Sequence, residues 1–225
     1  VRWYRKAAEQ GQAEAQYNLC MMYYVGQDVN QDHEKAMEWC RSAADKGYLP
    51  AQNNLGMMYG ALKNYVEATK WFQKAAEKGS VNAQKNLGLM YEQGQGVRQN
   101  YEEAARWYSK AAAQGDANAQ YHLGVMYANG RGVRQNYEEA AQWYRKAAEQ
   151  GDVDAQNNLG ALYDEGQGVR QDSAEAVRWY RKAAERGYVV AQNNLGVAYS
   201  EGQGVRQDYP EALRWYRKAA EQGFA

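Results

Sequence analysis

Residues 119–154 read AQYHLGVMYANGRGVRQNYEEAAQWYRKAAEQGDVD, and most of the chain repeats this stretch. The dipeptide Ala-Gln recurs from Ala15 onward at steps of 36, 32, 36, 36 and 36 residues. All 7 tryptophans follow the same spacing, from Trp3 to Trp215. A fixed period in this range is typical of proteins that stack one small structural unit many times. The period therefore predicts the fold class before any other feature does.

Each unit reads as two short helices. In its first half, Ala119, Leu123 and Tyr127 fall on one stripe of an α-helix, and Gly130 supplies a left-handed stop. In its second half, Asn136 is followed three residues later by Glu139, a capping box that marks a helix start. Helices of about three to four turns are unstable alone, so neighbouring units must stabilise them.

The chain is thus predicted to be one all-α repeat domain. The spacing places the second half of a truncated unit at 1–14, and full units at 15–50, 51–82, 83–118, 119–154, 155–190 and 191–225. One unit is irregular, because the chain between Tyr59 and Tyr65 has four residues fewer than that between Tyr91 and Tyr101. This deletion predicts a tighter turn between two intact helices.

The two cysteines are a second departure from the pattern. Cys20 stands where other units have Gly, and Cys40 where they have Tyr or Phe. Relative to the other units, the first helix therefore gains side-chain volume at Cys20 and the second helix loses it at Cys40. A disulfide is compatible with their places in one hairpin. We favour two buried thiols, since a free cysteine behaves as a small apolar side chain.

Bulk properties argue against several functions. Lys plus Arg and Asp plus Glu both number 27, so the chain lacks the positive field on which nucleic-acid binding depends. The longest apolar run, Leu19–Val25, is far short of the about 20 residues that span a membrane. The first residues resemble the second half of a unit and not a signal peptide, so we expect a soluble piece of a longer protein.

Catalytic and metal sites have little support in the sequence. The loop between the two helices of a regular unit reads Gly-x-Gly-Val, as at 130–133. It lacks the third glycine and the strand of a dinucleotide fingerprint, so we interpret its glycines as a helix stop and a turn. His33 and His122 lie in different units without further ligands at zinc spacing. No Gly-x-Ser-x-Gly motif occurs. We expect no enzyme, no cofactor and no metal.

The segments Ala119–Tyr127, Gly130-x-Gly132-Val133 and Tyr137–Gly151 closely resemble the Sel-one-like repeat (SLR) family. The period and the Gly-x-Gly-Val loop separate them from tetratricopeptide repeats. The resemblance covers almost the whole chain. It implies a right-handed α-α superhelix whose first helices line a concave surface, and a bacterial adaptor or scaffold that binds another protein or peptide.

The first helices carry one row of positions that varies between units, which we call the variable row. It begins with Tyr17, Met21 and Tyr24 and becomes smaller and more polar toward the C-terminus. Such an aromatic and Met-rich end suits an adaptable protein contact. The alternatives are that the row is partly buried between units or drifts neutrally. The predicted partner-binding residues on the concave face are Tyr17, Met21, Tyr24, Asn53, Met57, Lys85, Leu89 and Tyr121.

Two rival functions stay open beside the scaffold. Cysteine-rich relatives in the SLR family suggest a β-lactam-binding or hydrolysing enzyme, which would need a convergent Ser, Lys or acid cluster. The other rival is a structural spacer within a larger protein. The compartment (periplasmic, secreted or cytoplasmic) also stays open. A nearly constant asparagine next to the row is expected to bond neighbouring backbone, at Asn18, Asn54, Asn86, Asn158 and Asn194.

Overall fold

A computed structural model describes residues 2–223, so Val1 of the predicted half unit and Phe224 and Ala225 of the last unit lie outside the described residues. The described residues form thirteen α-helices and no strand, which confirms the all-α prediction. The helices are α1 (Arg2–Glu9), α2 (Ala13–Val25), α3 (His33–Asp45), α4 (Leu49–Ala61), α5 (Tyr65–Glu77), α6 (Val81–Gln93), α7 (Tyr101–Ala113), α8 (Ala117–Asn129), α9 (Tyr137–Glu149), α10 (Val153–Glu165), α11 (Ser173–Glu185), α12 (Val189–Glu201) and α13 (Tyr209–Glu221).

The helices pair into six hairpins, numbered 1 to 6 from α2–α3 to α12–α13. Two compact units contain them, residues 1–111 and residues 112–225. Within each unit, a first helix packs on the second helix of its own hairpin and on the second helix of the hairpin before it. The helices begin about two residues before the unit boundaries that the sequence predicts, since α2 starts at Ala13 and α10 at Val153.

Helix ends follow the predicted chemistry. The side chain of Asp172 accepts a hydrogen bond from the backbone N–H of Glu175 at the start of α11. Asp32 caps α3 in the same way through the N–H of Lys35, although no acid stands at that third position. Gly166 ends α10 with φ 68°, in the left-handed region that glycine adopts without strain. Capping residues therefore mark where these second helices start and where this first helix stops.

Close packing within a hairpin depends on one glycine of the first helix. A Cβ built on Gly160 would lie 2.7 Å from the ring of Tyr180, and one on Gly56 would lie 2.6 Å from the ring of Phe72. Both rings are buried. An added methyl group would therefore push the two helices apart. The same contact recurs at Gly88, Gly124 and Gly196.

Hairpin 1 replaces this glycine–ring contact by a disulfide. The Sγ atoms of Cys20 and Cys40 are 2.10 Å apart, and their Cα atoms are 5.1 Å apart. The expectation of two buried thiols is therefore wrong. In the other hairpins the two helices lie close enough for a glycine to contact an aromatic ring. The same helix separation in hairpin 1 brings the Cα atoms of Cys20 and Cys40 within the distance that a disulfide spans. That separation depends on how closely the helices approach, which the sequence does not state.

The shortened hairpin 2 keeps both helices, as predicted. Its turn places Lys63 at φ 58° and closes with a hydrogen bond from the N–H of Asn64 to the carbonyl of Tyr59, at 2.9 Å. The longer loop of hairpin 3 closes with the equivalent bond, from the N–H of Asn100 to the carbonyl of Tyr91, also at 2.9 Å. The deletion therefore removes the outer part of the loop and leaves its base intact.

A buried glutamine joins consecutive hairpins. The Nε2 of Gln52 donates to the carbonyl of Ala44 at 2.9 Å, near the end of α3, where carbonyls lack partners within the helix. This bond explains why Gln follows Ala at the same place in every unit, a role that the sequence interpretation did not assign. Equivalent bonds join Gln16 to Ala8, Gln84 to Ala76, Gln120 to Ala112, Gln156 to Ala148 and Gln192 to Ala184.

Candidate functional site

The variable row is only partly a free surface. Tyr24 is 41% exposed and Met57 is 49% exposed, whereas Asn53 is buried at 6%. Tyr17 and Met21 are half-buried. Two of the predicted partner-binding side chains therefore reach solvent with large apolar area, and both come from hairpins 1 and 2.

The buried part of the row forms a seam between consecutive first helices. The Nδ2 of Asn54 donates to the hydroxyl of Tyr17 at 3.0 Å and lies 3.1 Å from the sulfur of Met21. In the next seam, the Nδ2 of Asn86 donates to the Oδ1 of Asn53 at 3.3 Å. The nearly constant asparagines therefore bond row side chains of the preceding hairpin. The prediction that they bond neighbouring backbone is wrong at these positions.

The same seam exists in the unit of residues 112–225. There the Nδ2 of Asn194 donates to the Oδ1 of Asn157 at 3.0 Å. Asn157 is buried at 7%. A varying row residue and a constant asparagine thus hold hairpins 5 and 6 together, which is the alternative of burial between units that the sequence left open.

The remaining predicted partner-binding residues offer less surface. Lys85 and Leu89 of α6 are half-buried. Tyr121 of α8 is also half-buried, and its ring centroid lies 6.0 Å from that of Tyr144 in the same hairpin. These three side chains contribute to packing at least as much as to an accessible face.

Large apolar side chains concentrate around the loop ends of hairpins 1 and 2, a region that we call the N-terminal apolar surface. It contains Tyr24 and Met57 of the row together with Leu62, which is 66% exposed. A cavity of about 400 Å³ opens here, lined by Tyr24, His33, Glu34, Met37, Met58, Ala61 and Leu62. A smaller one of about 80 Å³ lies beside it and shares Tyr24 and Met58. A contiguous apolar area of this kind commonly marks an interaction site.

Titratable side chains with altered pKa values are spread along the helices. Burial raises the pKa of the tyrosine hydroxyls of Tyr144 and Tyr180 above its ordinary value. Burial also raises the pKa of Tyr108, whose hydroxyl donates to the Oε2 of Glu92 at 2.7 Å. All three tyrosines hold the same position, that of the ring on the packing glycine, in different hairpins. The pKa shifts of these three tyrosines therefore reflect burial at one repeated position.

Within residues 2–223, no three His, Cys, Asp or Glu side chains come together as a metal-binding group. His33 lines the cavity of the N-terminal apolar surface, and its ring stands edge-on to Tyr24 with centroids 5.2 Å apart. The ring of His122 stands edge-on to that of Tyr121 in α8, with centroids 5.4 Å apart. None of the helices in the described part of the chain is long and apolar enough to span a lipid bilayer.

Stacked two-helix units that pack on one another define an α-helical repeat protein. The chain belongs to the Sel1 repeat family. The Sel1 repeat model matches residues 1–12, 13–48, 49–80, 81–116, 117–152, 153–188 and 189–224. The resemblance to the SLR family is thereby confirmed. Proteins built from Sel1 repeats are typically scaffolds for protein interaction.

Solved structures give the same fold. A protective antigen of uropathogenic Escherichia coli strains with an SLR fold is 40% identical over 99% of this chain and 48% of that chain, with a TM-score of 0.96. A Sel1 repeat protein from Oxalobacter formigenes is 37% identical over 99% of this chain and 65% of that chain, with a TM-score of 0.84. The chain thus spans about half the length of the first and two thirds of the second. Comparison with curated protein sequences gives no match.

Proposed function

We propose that this chain is a non-enzymatic scaffold that binds another protein or peptide through the first-helix face of hairpins 1 and 2. The observation that carries the proposal is the exposure of Tyr24 and Met57, 41% and 49%, on a face whose C-terminal positions are smaller or more polar. The corresponding residues of hairpin 5 are Ala161 and Asp164. Binding is thus assigned to the end of the row that carries large side chains.

Side-chain chemistry supports this assignment. Met57 offers flexible, polarisable surface that adapts to different partners, and the buried Met58 lines the adjoining cavity. Tyr24 combines a large apolar ring with a hydroxyl, the composition that dominates energetic hot spots at interfaces. Since the helices are already ordered by hairpin packing, binding orders few additional residues and loses little entropy.

The charge and the disulfide narrow the partner and the compartment. With 27 basic and 27 acidic residues the chain has no net charge to attract nucleic acid, so the partner is a protein or peptide with an apolar contact region. The Cys20–Cys40 disulfide favours an oxidising compartment such as the bacterial periplasm or the cell exterior. The Escherichia coli relative is a protective antigen, which agrees with exposure outside the cytoplasm.

Capture of partners by immobilised protein tests the proposal. The double variant Tyr24→Ala/Met57→Ala should lose at least about tenfold in captured partner, measured by quantitative mass spectrometry, because two central anchors are removed. Leu213→Ala is the matched control, since Leu213 is equally apolar and 58% exposed on hairpin 6. Equal capture by the double variant and wild type would leave the structural-spacer reading in place. Turnover of a chromogenic β-lactam by the wild type would instead favour the enzyme.

A further inference from the structure

The loop of each regular hairpin is also a packing element for the hairpin before it. A Cβ on Gly96, in the loop of hairpin 3, would lie 2.1 Å from the carbonyl oxygen of Tyr65, the first residue of α5. Gly204, in the loop of hairpin 6, has the same relation to the carbonyl of Ser173, the first residue of α11. At φ 71° and 67° these glycines bring loop backbone directly onto the start of the preceding second helix. The valine that follows, Val97 or Val205, packs against the core.

The docked loop buries a position one helical turn into that second helix. The residue four after the helix start is 3% exposed at Thr69, 2% at Ala141 and 4% at Val177. The hydroxyl of Thr69 donates to the loop carbonyl of Gln95 at 3.1 Å. Val177 and the loop residue Val205 line one common surface. We call this position the loop-covered position.

Hairpin 1 lacks its cover, because the deletion in hairpin 2 removed the outer part of the loop that would dock on α3. Met37 holds the loop-covered position of α3, and it is half-buried instead of buried. It lines the 400 Å³ cavity of the N-terminal apolar surface together with Tyr24, Met58 and Leu62. Leu213 of α13, which has no following hairpin among the described residues, is similarly uncovered at 58% exposure.

The regular loops show what this cavity accepts. We propose that it binds a peptide segment of a partner protein that reproduces the missing Gly-x-Gly-Val-Arg motif and its turn, with the second glycine on the backbone of His33 and the valine against Met37. This inference rests on the proposed interaction function and adds a sequence-selective anchor to it. The cavity volume falls within the about 300–1,000 Å³ of ordinary ligand pockets.

Charge complementarity favours a basic residue after the valine. Glu34 lies in the cavity wall with an exposed side chain. In the regular loops the valine is followed by arginine, at Arg98, Arg134, Arg170 and Arg206. A partner segment of the form Gly-x-Gly-Val-Arg therefore combines a fit for the apolar floor with a cation for the acidic wall.

The test uses the chain's own loop as a probe in trans. A fluorescent peptide EQGQGVRQN, residues 92–100, is titrated with the full 225-residue chain and followed by anisotropy. Saturable binding is expected. A loop-restored variant, in which Gly60–Lys63 is replaced by the eight residues 92–99, carries the loop in cis and should bind at least about tenfold more weakly, a loss of about 1.4 kcal/mol. Its folding is checked by circular dichroism, and hairpin 3 already accommodates this loop.

Matched single substitutions make the outcome specific. Met37→Ser should weaken peptide binding about tenfold, whereas Val66→Ser, at an exposed apolar position of α5, whose start is already covered by the loop of hairpin 3, should not change it. A peptide with valine replaced by aspartate should bind as weakly as the Met37→Ser variant does. The inference is overturned if no saturable binding occurs up to millimolar concentration, if the loop-restored variant binds equally, or if a scrambled peptide binds as well.

Two further outcomes distinguish the peptide pocket from a dimer contact and from the proposed first-helix face. If the loop graft abolishes a concentration-dependent dimerisation of the chain, the occupant is a second copy and the partner-peptide proposal fails. Met57 does not line the 400 Å³ cavity, so Met57→Ala should reduce partner capture and leave peptide binding unchanged. If the peptide binds but Met57→Ala does not reduce partner capture, only the proposed first-helix face is contradicted. If Met57→Ala reduces partner capture but the peptide does not bind, only the peptide pocket is contradicted.

Discussion

Hairpins 1 and 5 share one backbone plan and differ in the contact that joins their two helices and in the cover of their second helix. Hairpin 5 packs Gly160 under the ring of Tyr180, whereas hairpin 1 joins the same two positions by the Cys20–Cys40 disulfide. In hairpin 5 the loop-covered position, Val177, is 4% exposed. In hairpin 1 it is Met37, which lines an open cavity.

The difference shows that the helical frame is maintained by interchangeable contacts. A ring packed on a glycine and a disulfide both hold two helices close together. In each case a small side chain on the first helix leaves room for the contact with the second helix. A loop that docks on the preceding helix contributes packing, but hairpin 1 keeps all thirteen residues of α3 without it. In hairpin 1 the surface without a docked loop stays exposed, and it is this surface for which we propose partner binding.

Breaking the disulfide should have the largest effect. Cys20→Ala/Cys40→Ala should lower the free energy of unfolding of the first unit by about 3 kcal/mol, since the bridge closes a loop of 20 residues. Cys20→Gly/Cys40→Tyr, which installs the contact of hairpin 5, should regain roughly 1.5–3 kcal/mol through aromatic burial. Urea unfolding followed by circular dichroism measures both, and amide exchange localises the loss to α2 and α3. Unchanged stability of the double alanine variant under oxidising conditions would contradict the structural role of the bridge.

Substitutions of two glycines in α4 test the ring-on-glycine contact and should change stability by an intermediate amount. Gly56→Ala places a methyl group 2.6 Å from the ring of Phe72 and should destabilise the protein by about 1–2 kcal/mol after its helix-propensity gain. Gly60→Ala, one turn further along, meets no atom within 4 Å and should stabilise it by up to about 1 kcal/mol. Thermal melts of the two variants should move in opposite directions. If both melt higher than wild type, ring-on-glycine contact does not limit helix approach.

Local signals were sufficient for the helices and insufficient for the contacts between hairpins. The stripe through Leu123, the stop at Gly130 and the cap at Asn136 each act within about one turn, so the sequence shows them directly. The bond from Gln52 to Ala44 and that from Asn54 to Tyr17 join different hairpins. A period identifies such residues as recurrent but does not identify their partners.

The candidate site was predictable in the same limited sense. Tyr24 and Met57 stood out because they depart from the repeat, and both are exposed. The missing loop residues were also visible in the sequence. Their consequence for Met37 was not, because it depends on a loop of one hairpin docking on the second helix of another. The helix approach that decides between two thiols and a disulfide at Cys20 and Cys40 is likewise a three-dimensional quantity.

The smallest expected effect is the acid sensitivity of α3, which is capped by an aspartate where α9 is capped by Asn136. The backbone N–H of Lys35 and then its ammonium group hold the pKa of the Asp32 carboxyl below its ordinary value. The lowered pKa means that this cap stabilises α3 fully above about pH 3.9 and loses its contribution as the pH falls through the folded-state value. A carboxamide does not titrate in this range, so α9 keeps its cap acceptor throughout.

Asp32→Asn isolates that effect, because it retains the acceptor for the Lys35 N–H and removes the charge. The chemical shift of the Lys35 amide, followed by NMR from about pH 6 to about pH 2, should titrate in the wild type with a midpoint below 3.9 and lose that component in the variant. A midpoint at or above 3.9 would show that the cap and ion pair do not favour the ionised carboxyl. Because Asp32 and Lys35 are solvent-exposed, salt should weaken the ion-pair part of the shift while the backbone bond persists. If the lowered pKa of Asp32 persists at high salt, the backbone hydrogen bond of the cap is its cause. If salt removes the lowering, the ion pair with Lys35 is the cause.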